Sequence, residues 1–208
     1  MTTIKNIIFD LGDVIINIDV PLAARSFAEL SNRPLEEVQA LIHQNEVFKK
    51  FETGHLSAVD FRAYIRELLQ QPNWSDEVID RAWNSLLLDI PPQRIAKIQE
   101  LAQKGYRLFL LSNTSSIHIN EVNKILHRTT GIEQLADLFE KLFLSYEMGV
   151  MKPHPDIYYS VLTEAGLLAH ESLFLDDNAD NIHVAAACGI QTIHVQKPTS
   201  MVDYLSDY

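Results

Sequence analysis

Apolar residues fall along this chain in two kinds of pattern. The first is a short continuous run. Residues 5–10, 106–112, 141–145 and 172–176 form such runs, and 191–195 form a fifth. Apolar neighbours in succession, without clean alternation, fit strands of a parallel sheet covered on both faces. The second pattern is helical. Pro91-Pro92 opens a segment in which Ile95, Ile98, Leu101 and Ala102 share one face, and Gly105 ends it. Residues 156–165 stop at Gly166, and residues 178–188 stop at Gly189. Strand, helix, glycine, strand predicts an α/β fold with a doubly wound, parallel, Rossmann-like sheet.

One connection breaks that rhythm. A crossover between parallel strands needs about a dozen residues, yet the gap between the first two runs is several times longer. A structureless loop of that length is improbable in a compact domain, and the gap is helical in pattern. Ser57 stands as an N-cap before Asp60, and Phe61, Tyr64, Ile65, Leu68 and Leu69 then keep one helix face. Ser75 begins a similar segment with Ile79, Ala82, Trp83 and Leu86. The expectation is a helical cap over residues 17–88, inserted after the first strand, with 1–16 and 89–208 forming the α/β core.

Composition narrows the function classes. The chain has 208 residues, 47% hydrophobic and 22% charged, which is ordinary globular usage. The net charge of -11 argues against a nucleic-acid backbone binder. No apolar run approaches the ~20 residues of a membrane span. The N-terminus lacks a signal-peptide pattern, and the single cysteine, Cys188, excludes an internal disulfide. The expected setting is cytoplasmic.

Polar residues collect where the apolar runs stop. Asp10 ends the first, Ser112-Asn113 the second and Asp176-Asp177 the fourth, while Lys152 follows the third by a short loop. Open α/β sheets bind ligands at the carboxyl ends of their strands, so these residues converge on one edge. Three carboxylates suit magnesium, and a lysine offsets phosphate charge. Each group also has a plainer reading. Asp10 could be a turn residue, Ser112 a helix cap, Lys152 solvated loop charge, and Asp176-Asp177-Asn178 a capping cluster. No paired histidines suit zinc, and no Gly-x-Ser-x-Gly elbow is present. Glu52-Thr53-Gly54-His55 reads as a loop, with its relation to the sheet edge open.

Four segments, in order, resemble the motifs of the haloacid dehalogenase-like superfamily. They are Ile8-Phe9-Asp10-Leu11-Gly12-Asp13-Val14, Leu110-Leu111-Ser112-Asn113, Lys152-Pro153-His154-Pro155, and Phe174-Leu175-Asp176-Asp177-Asn178-Ala179-Asp180-Asn181. Within the superfamily they resemble the group of α-D-glucose-1-phosphate phosphatases. The resemblance implies a magnesium-dependent phosphatase acting on a small phosphorylated metabolite. Asp10 would attack phosphorus and form an aspartyl-phosphate. Asp10, the Gly12 carbonyl and Asp177 would hold Mg2+, supported by Asp176 and Asn181. Ser112 and Asn113 would bind the phosphoryl oxygens, and Lys152 would neutralise their charge.

The sequence departs from that pattern at one position. Most phosphatases of the superfamily carry an acid/base Asp two residues after the nucleophile, and here that residue is Gly12. Asp13 is the neighbouring candidate for the role. The missing acid favours a substrate with a good leaving group, such as a sugar 1-phosphate. Two competitors stand beside this reading: a metal-independent 2-haloacid dehalogenase, and a phosphate-ligand binder without turnover.

Overall fold

The computed structural model describes residues 3–43 and 46–208. Five strands form one parallel sheet: β1 (Asn6–Phe9), β2 (Arg107–Ser112), β3 (Lys141–Leu144), β4 (Ser172–Asp176) and β5 (Gln191–His194), in the order β3-β2-β1-β4-β5. The five apolar runs are these strands, with ends shifted by a residue or two.

The two faces of the sheet feed two separate cores. Ile7 and Phe9 of β1, Leu108 and Leu110 of β2, and Leu173 and Leu175 of β4 enter one cluster. Their alternates Ile8, Phe109, Leu111 and Phe174 enter the other. Side chains alternate across a strand, so a strand buried on both faces reads as an unbroken apolar run. The first face is covered by α6 (Pro92–Gln103), α7 (Ser116–Thr130) and α11 (Met201–Tyr204). The second is covered by α9 (Pro155–Glu164) and α10 (Ala179–Ala187), which bring Ile157, Tyr158, Val161 and Ala185. A short α8 (Ser145–Met148) follows β3.

Between β1 and β2 lie α1 (Pro21–Ser31), α2 (Leu35–His43), α3 (Glu46–Glu52), α4 (Ala58–Leu68) and α5 (Asp76–Asn84). Ser57 caps α4 by accepting from Asp60 N–H, and Ser75 caps α5 by accepting from Val78 N–H. These helices bury a third cluster, in which Phe27, Val38, Phe51, Phe61, Ile65, Ile79 and Trp83 meet Ile117 of α7. The Phe51 and Phe61 rings stack with centroids 4.1 Å apart. The chain enters and leaves the helical segment side by side. Asn17 N–H donates to Asp89 O and Leu88 N–H to Asn17 O, each at 2.9 Å, and Ile18 bridges Leu87.

Candidate active site

Parallel register sets the floor of the site. Phe9 of β1 lies opposite Leu110 of β2 and Leu175 of β4, so the next residues, Asp10 and Asp176, emerge together at the carboxyl edge. Asp10 N–H donates to Leu175 O at 2.9 Å. Lys152 arrives from the loop between α8 and α9. Its Nζ donates to Asp10 Oδ1 at 2.7 Å, Asp176 Oδ2 at 2.6 Å and Leu111 O at 3.0 Å. All three charged groups are buried: Asp10 is 7% exposed, Lys152 3% and Asp176 0%.

The flanking residues hold this triad in place. Asn113 Nδ2 donates to Lys152 O, and Lys152 N–H donates to Asn113 Oδ1, both at 2.8 Å. The Asn113 side chain is therefore committed to positioning Lys152. Asp176 receives Asn178 N–H at 2.8 Å and Asn181 Nδ2 at 3.0 Å to each oxygen, so both its oxygens are occupied. Asn178 caps α10 through Asp180 N–H and Asn181 N–H. The capping reading of that cluster thus holds for Asn178, while Asp176 faces the lysine. Ser112 is buried at the end of β2, and its hydroxyl makes only a marginal 3.5 Å contact with Asn113 O. The cap of α7 is Ser115, which accepts from His118 N–H, so capping does not consume Ser112.

The electrostatics are those of an acidic site with too little positive charge. Burial and then Asp176 push the Asp10 carboxyl up to about 7, against the pull of Lys152. Burial works to lower the Lys152 ammonium, but Asp10 and Asp176 outweigh it and raise its pKa. Asp177 stands at the mouth with an open surface. Loss of water on its protein side, and then the charges of Asp176 and Asp13, raise its carboxyl too. Oxygens of Asp10, Asp176 and Asp177 lie within 4.8 Å of one another. Oxygen ligands at that spacing suit a hard divalent cation. Since Asp176 is already satisfied, Asp10 and Asp177 are the carboxylates free to ligate. The Gly12 carbonyl accepts Val14 N–H at 2.6 Å and keeps a second lone pair.

The structure also places the glycine that replaces the expected acid. A Cβ built on Gly12 would meet Ile18 Cδ1 at 2.9 Å, so Ile18 fills the space a side chain there would take. Asp13 has a left-handed backbone, φ 53. Its Oδ1 accepts Ile18 N–H at 3.1 Å and pairs with Lys197 Nζ at 2.7 Å. In this arrangement Asp13 holds the Ile18 segment.

Next to the floor, reached through Leu11, Gly12 and Ser112 but not lined by Asp10, Lys152 or Asp176, lies a cavity of about 370 Å³. Gly12, Ser112, Asn113 and Thr114 line it from the sheet, and Ile18, Ala24, Glu52 and Trp83 are among the residues that line it from the helical side. Glu52, in the 52–55 segment expected to be a loop of open relation to the sheet edge, is the last residue of α3 and lies on this wall, together with His118, which the sequence did not single out. His118 Nδ1 bonds Asn84 Oδ1 at 2.8 Å, and its ring stacks on Trp83 with centroids 4.9 Å apart. Burial pushes His118 down to about 3, so it is neutral. Burial pushes Glu52 up to about 7. The one signal for Glu52 was Gly54 two residues on, which has φ +71 and abuts the Tyr146 backbone.

The chain is similar to several known proteins. Residues 4–189 match the profile of a haloacid dehalogenase-like hydrolase family. A D-ribitol-5-phosphate phosphatase of Bacteroides thetaiotaomicron is 32% identical over 91% of this chain and 90% of its own. A glyceraldehyde 3-phosphate phosphatase of Pyrococcus abyssi is 27% identical over 91% of this chain and 80% of its own. A solved structure from B. thetaiotaomicron, in complex with magnesium and inorganic phosphate, superposes with a TM-score of 0.88 at 34% identity, covering 97% of this chain and 99% of that one.

Proposed function

The chain belongs to the haloacid dehalogenase-like hydrolases, and from that membership we propose that it is a magnesium-dependent phosphomonoesterase using Asp10 as nucleophile. The observation that carries the proposal is the buried cluster of Asp10, Asp176 and Lys152, with Asp177 at its mouth. One ammonium faces three carboxylates, and Asp10 and Asp177 would hold a divalent cation that offsets the excess. Bound magnesium would supply charge neutralisation for the phosphoryl group beside its nucleophile.

The chain's own residues have these roles in the proposal. Lys152 orients Asp10 through the 2.7 Å bond and keeps a positive charge at the phosphoryl oxygens. Ser112, with its hydroxyl uncommitted, donates to one phosphoryl oxygen, and Asn113 contributes its backbone N–H. Asp10 attacks phosphorus to form an aspartyl-phosphate, which water then hydrolyses. Asp176 and Asn181 fix Lys152 and the metal side of the floor. Asp13 is assigned to holding Ile18.

The substrate is a small phosphorylated metabolite. Its leaving group occupies the cavity beneath residues 17–88, which act as a cap on the 1–16 and 89–208 core. A volume of about 370 Å³ accommodates a sugar or polyol phosphate and is too small for a nucleic-acid strand. The relatives above act on ribitol 5-phosphate and glyceraldehyde 3-phosphate. The finer reading is a sugar 1-phosphate, because its hemiacetal oxyanion is less basic than an ordinary alkoxide and so makes a smaller demand on whichever group delivers the proton when Gly12 carries none. The test is phosphate release across sugar 1-phosphates, sugar and polyol terminal phosphates and 2-chloropropionate, with and without EDTA. Magnesium-dependent phosphate release supports the proposal. Chloride release that persists in EDTA contradicts it.

A further inference from the structure

From the cavity wall we infer that Glu52 carries the proton to and from the leaving-group side of the reaction, in place of a carboxylate at Gly12. The inference rests on the phosphatase reading above.

The first support is position. In phosphoryl transfer the attacking and leaving oxygens lie roughly in line. Asp10 does not itself line the cavity, but its neighbours Leu11 and Gly12 do, together with Ser112 and Glu52, so a leaving group passing from the strand ends to the helical side meets the Glu52 wall. Glu52 is the last residue of α3, and its carbonyl accepts from Ser145 Oγ at 2.6 Å. Ser145 Oγ also receives Thr114 N–H at 2.9 Å, two residues beyond Ser112. Glu52 is thus tied through one hydroxyl to the strand end that carries the phosphate-binding residue. Gly54 reinforces the tie, since any side chain there would overlap the Tyr146 carbonyl oxygen.

The second support is an unspent carboxyl. Among the described residues nothing bonds or pairs with the Glu52 carboxyl. That holds for Lys49 and Lys50 on its own helix, His55 in the turn, Tyr146 and Glu147 on α8, and His118 across the cavity. Glu52 is half-buried, and loss of water around its carboxyl pushes it up to about 7, so both the acid and the carboxylate are available near neutral pH.

The third support is elimination. Among the described residues, Glu52 and His118 are the two titratable side chains on the cavity wall. His118 is neutral, and one of its ring nitrogens is occupied by Asn84. Asp13 is engaged by Ile18 N–H and Lys197.

The chemistry balances with a phosphomonoester and water. Asp10 Oδ bonds to phosphorus, the ester P–O bond breaks, and its electron pair goes to the leaving oxygen, which takes the Glu52 proton and departs as an alcohol. Water then attacks the aspartyl-phosphate and gives a proton to the Glu52 carboxylate. The P–Oδ pair returns to Asp10, and inorganic phosphate is released with Glu52 again protonated.

The test uses p-nitrophenyl phosphate, whose weakly basic leaving group needs no proton. Glu52→Gln keeps size and removes the acid. It is expected to give a burst of nitrophenolate equal to the enzyme present, then steady turnover slowed by about 10²-fold or more. Glu52→Ala is expected to recover steady turnover with added formate. Steady turnover in Glu52→Gln within a few-fold of wild type overturns the inference. So does loss of burst and steady rate alike in a Glu52→Gln protein with wild-type melting. Should that variant melt early, the Glu52→Ala arm decides: formate rescue supports the inference and its absence overturns it. Absence of turnover in wild type, or turnover in Asp10→Asn, instead strikes the underlying phosphatase reading.

Discussion

The Lys152 ammonium lies 2.7 Å from Asp10 Oδ1, though the two residues stand 142 positions apart in the chain. Breaking a buried pair leaves an uncompensated charge and typically costs about 3–5 kcal/mol. Lys152→Met is therefore expected to destabilise the protein by about 3 kcal/mol or more at neutral pH. A urea titration measures this. Loss of phosphate release by about 10²-fold or more is expected alongside it.

Magnesium binding should depend on pH in a definite direction. In the metal-free protein Asp10 is raised from 3.8 to about 7. Its contribution favours the folded state fully below its unfolded value, and that contribution is lost as pH rises toward 7. Magnesium takes the ionised carboxylate, so binding below pH 7 must first remove a proton. The rise in melting temperature on adding magnesium is expected to be larger at about pH 8 than at about pH 5. Asp177→Ala is expected to abolish most of that rise at both. A thermal scan series checks both statements.

Much of this site was legible in the sequence because parallel strands carry their polar residues to one edge. Asp10, Ser112, Lys152 and Asp176 each follow an apolar run, and register brings them together. The helix α7 was not read, although Ser115, Gly131 and the buried Val122, Ile125 and Leu126 carry its caps and face. Glu52 was beyond reach for another reason. Nothing local distinguishes a glutamate that ends a helix, and its burial arises only when α3 docks on Ser145 and Tyr146. Asp13 could be named from the sequence only as the acid next to Gly12, because its partner Lys197 lies at the other end of the chain.

Ile18 and Gly12 form a coupled pair. Gly12→Asp crowds only the terminal Cδ1 of Ile18, which can turn aside, so it is expected to cost about 1 kcal/mol or less. Ile18→Ala in the same chain should recover most of that cost. A double-mutant cycle on urea midpoints gives the coupling, and simple additivity would contradict it.

Gly54 holds the Glu52 turn against the sheet side. Gly54→Ala adds a Cβ at φ +71 directly onto the Tyr146 carbonyl oxygen, a backbone atom that cannot swing aside. The expected result is a loss of about 2 kcal/mol or more, combining left-handed strain with overlap. Ser145→Ala, which removes only the hydroxyl bridge, should cost less. Comparative thermal melts separate the two.

The central claim is that phosphorus is transferred to Asp10, and the most direct measurement is acid-quenched peptide mass spectrometry after rapid mixing with p-nitrophenyl phosphate and magnesium. A phosphoryl group on the peptide carrying Asp10, absent when EDTA replaces magnesium and absent in Asp10→Asn, is the predicted result. Turnover with no phosphoryl group on that peptide, or labelling and turnover undiminished in Asp10→Asn, would contradict the account.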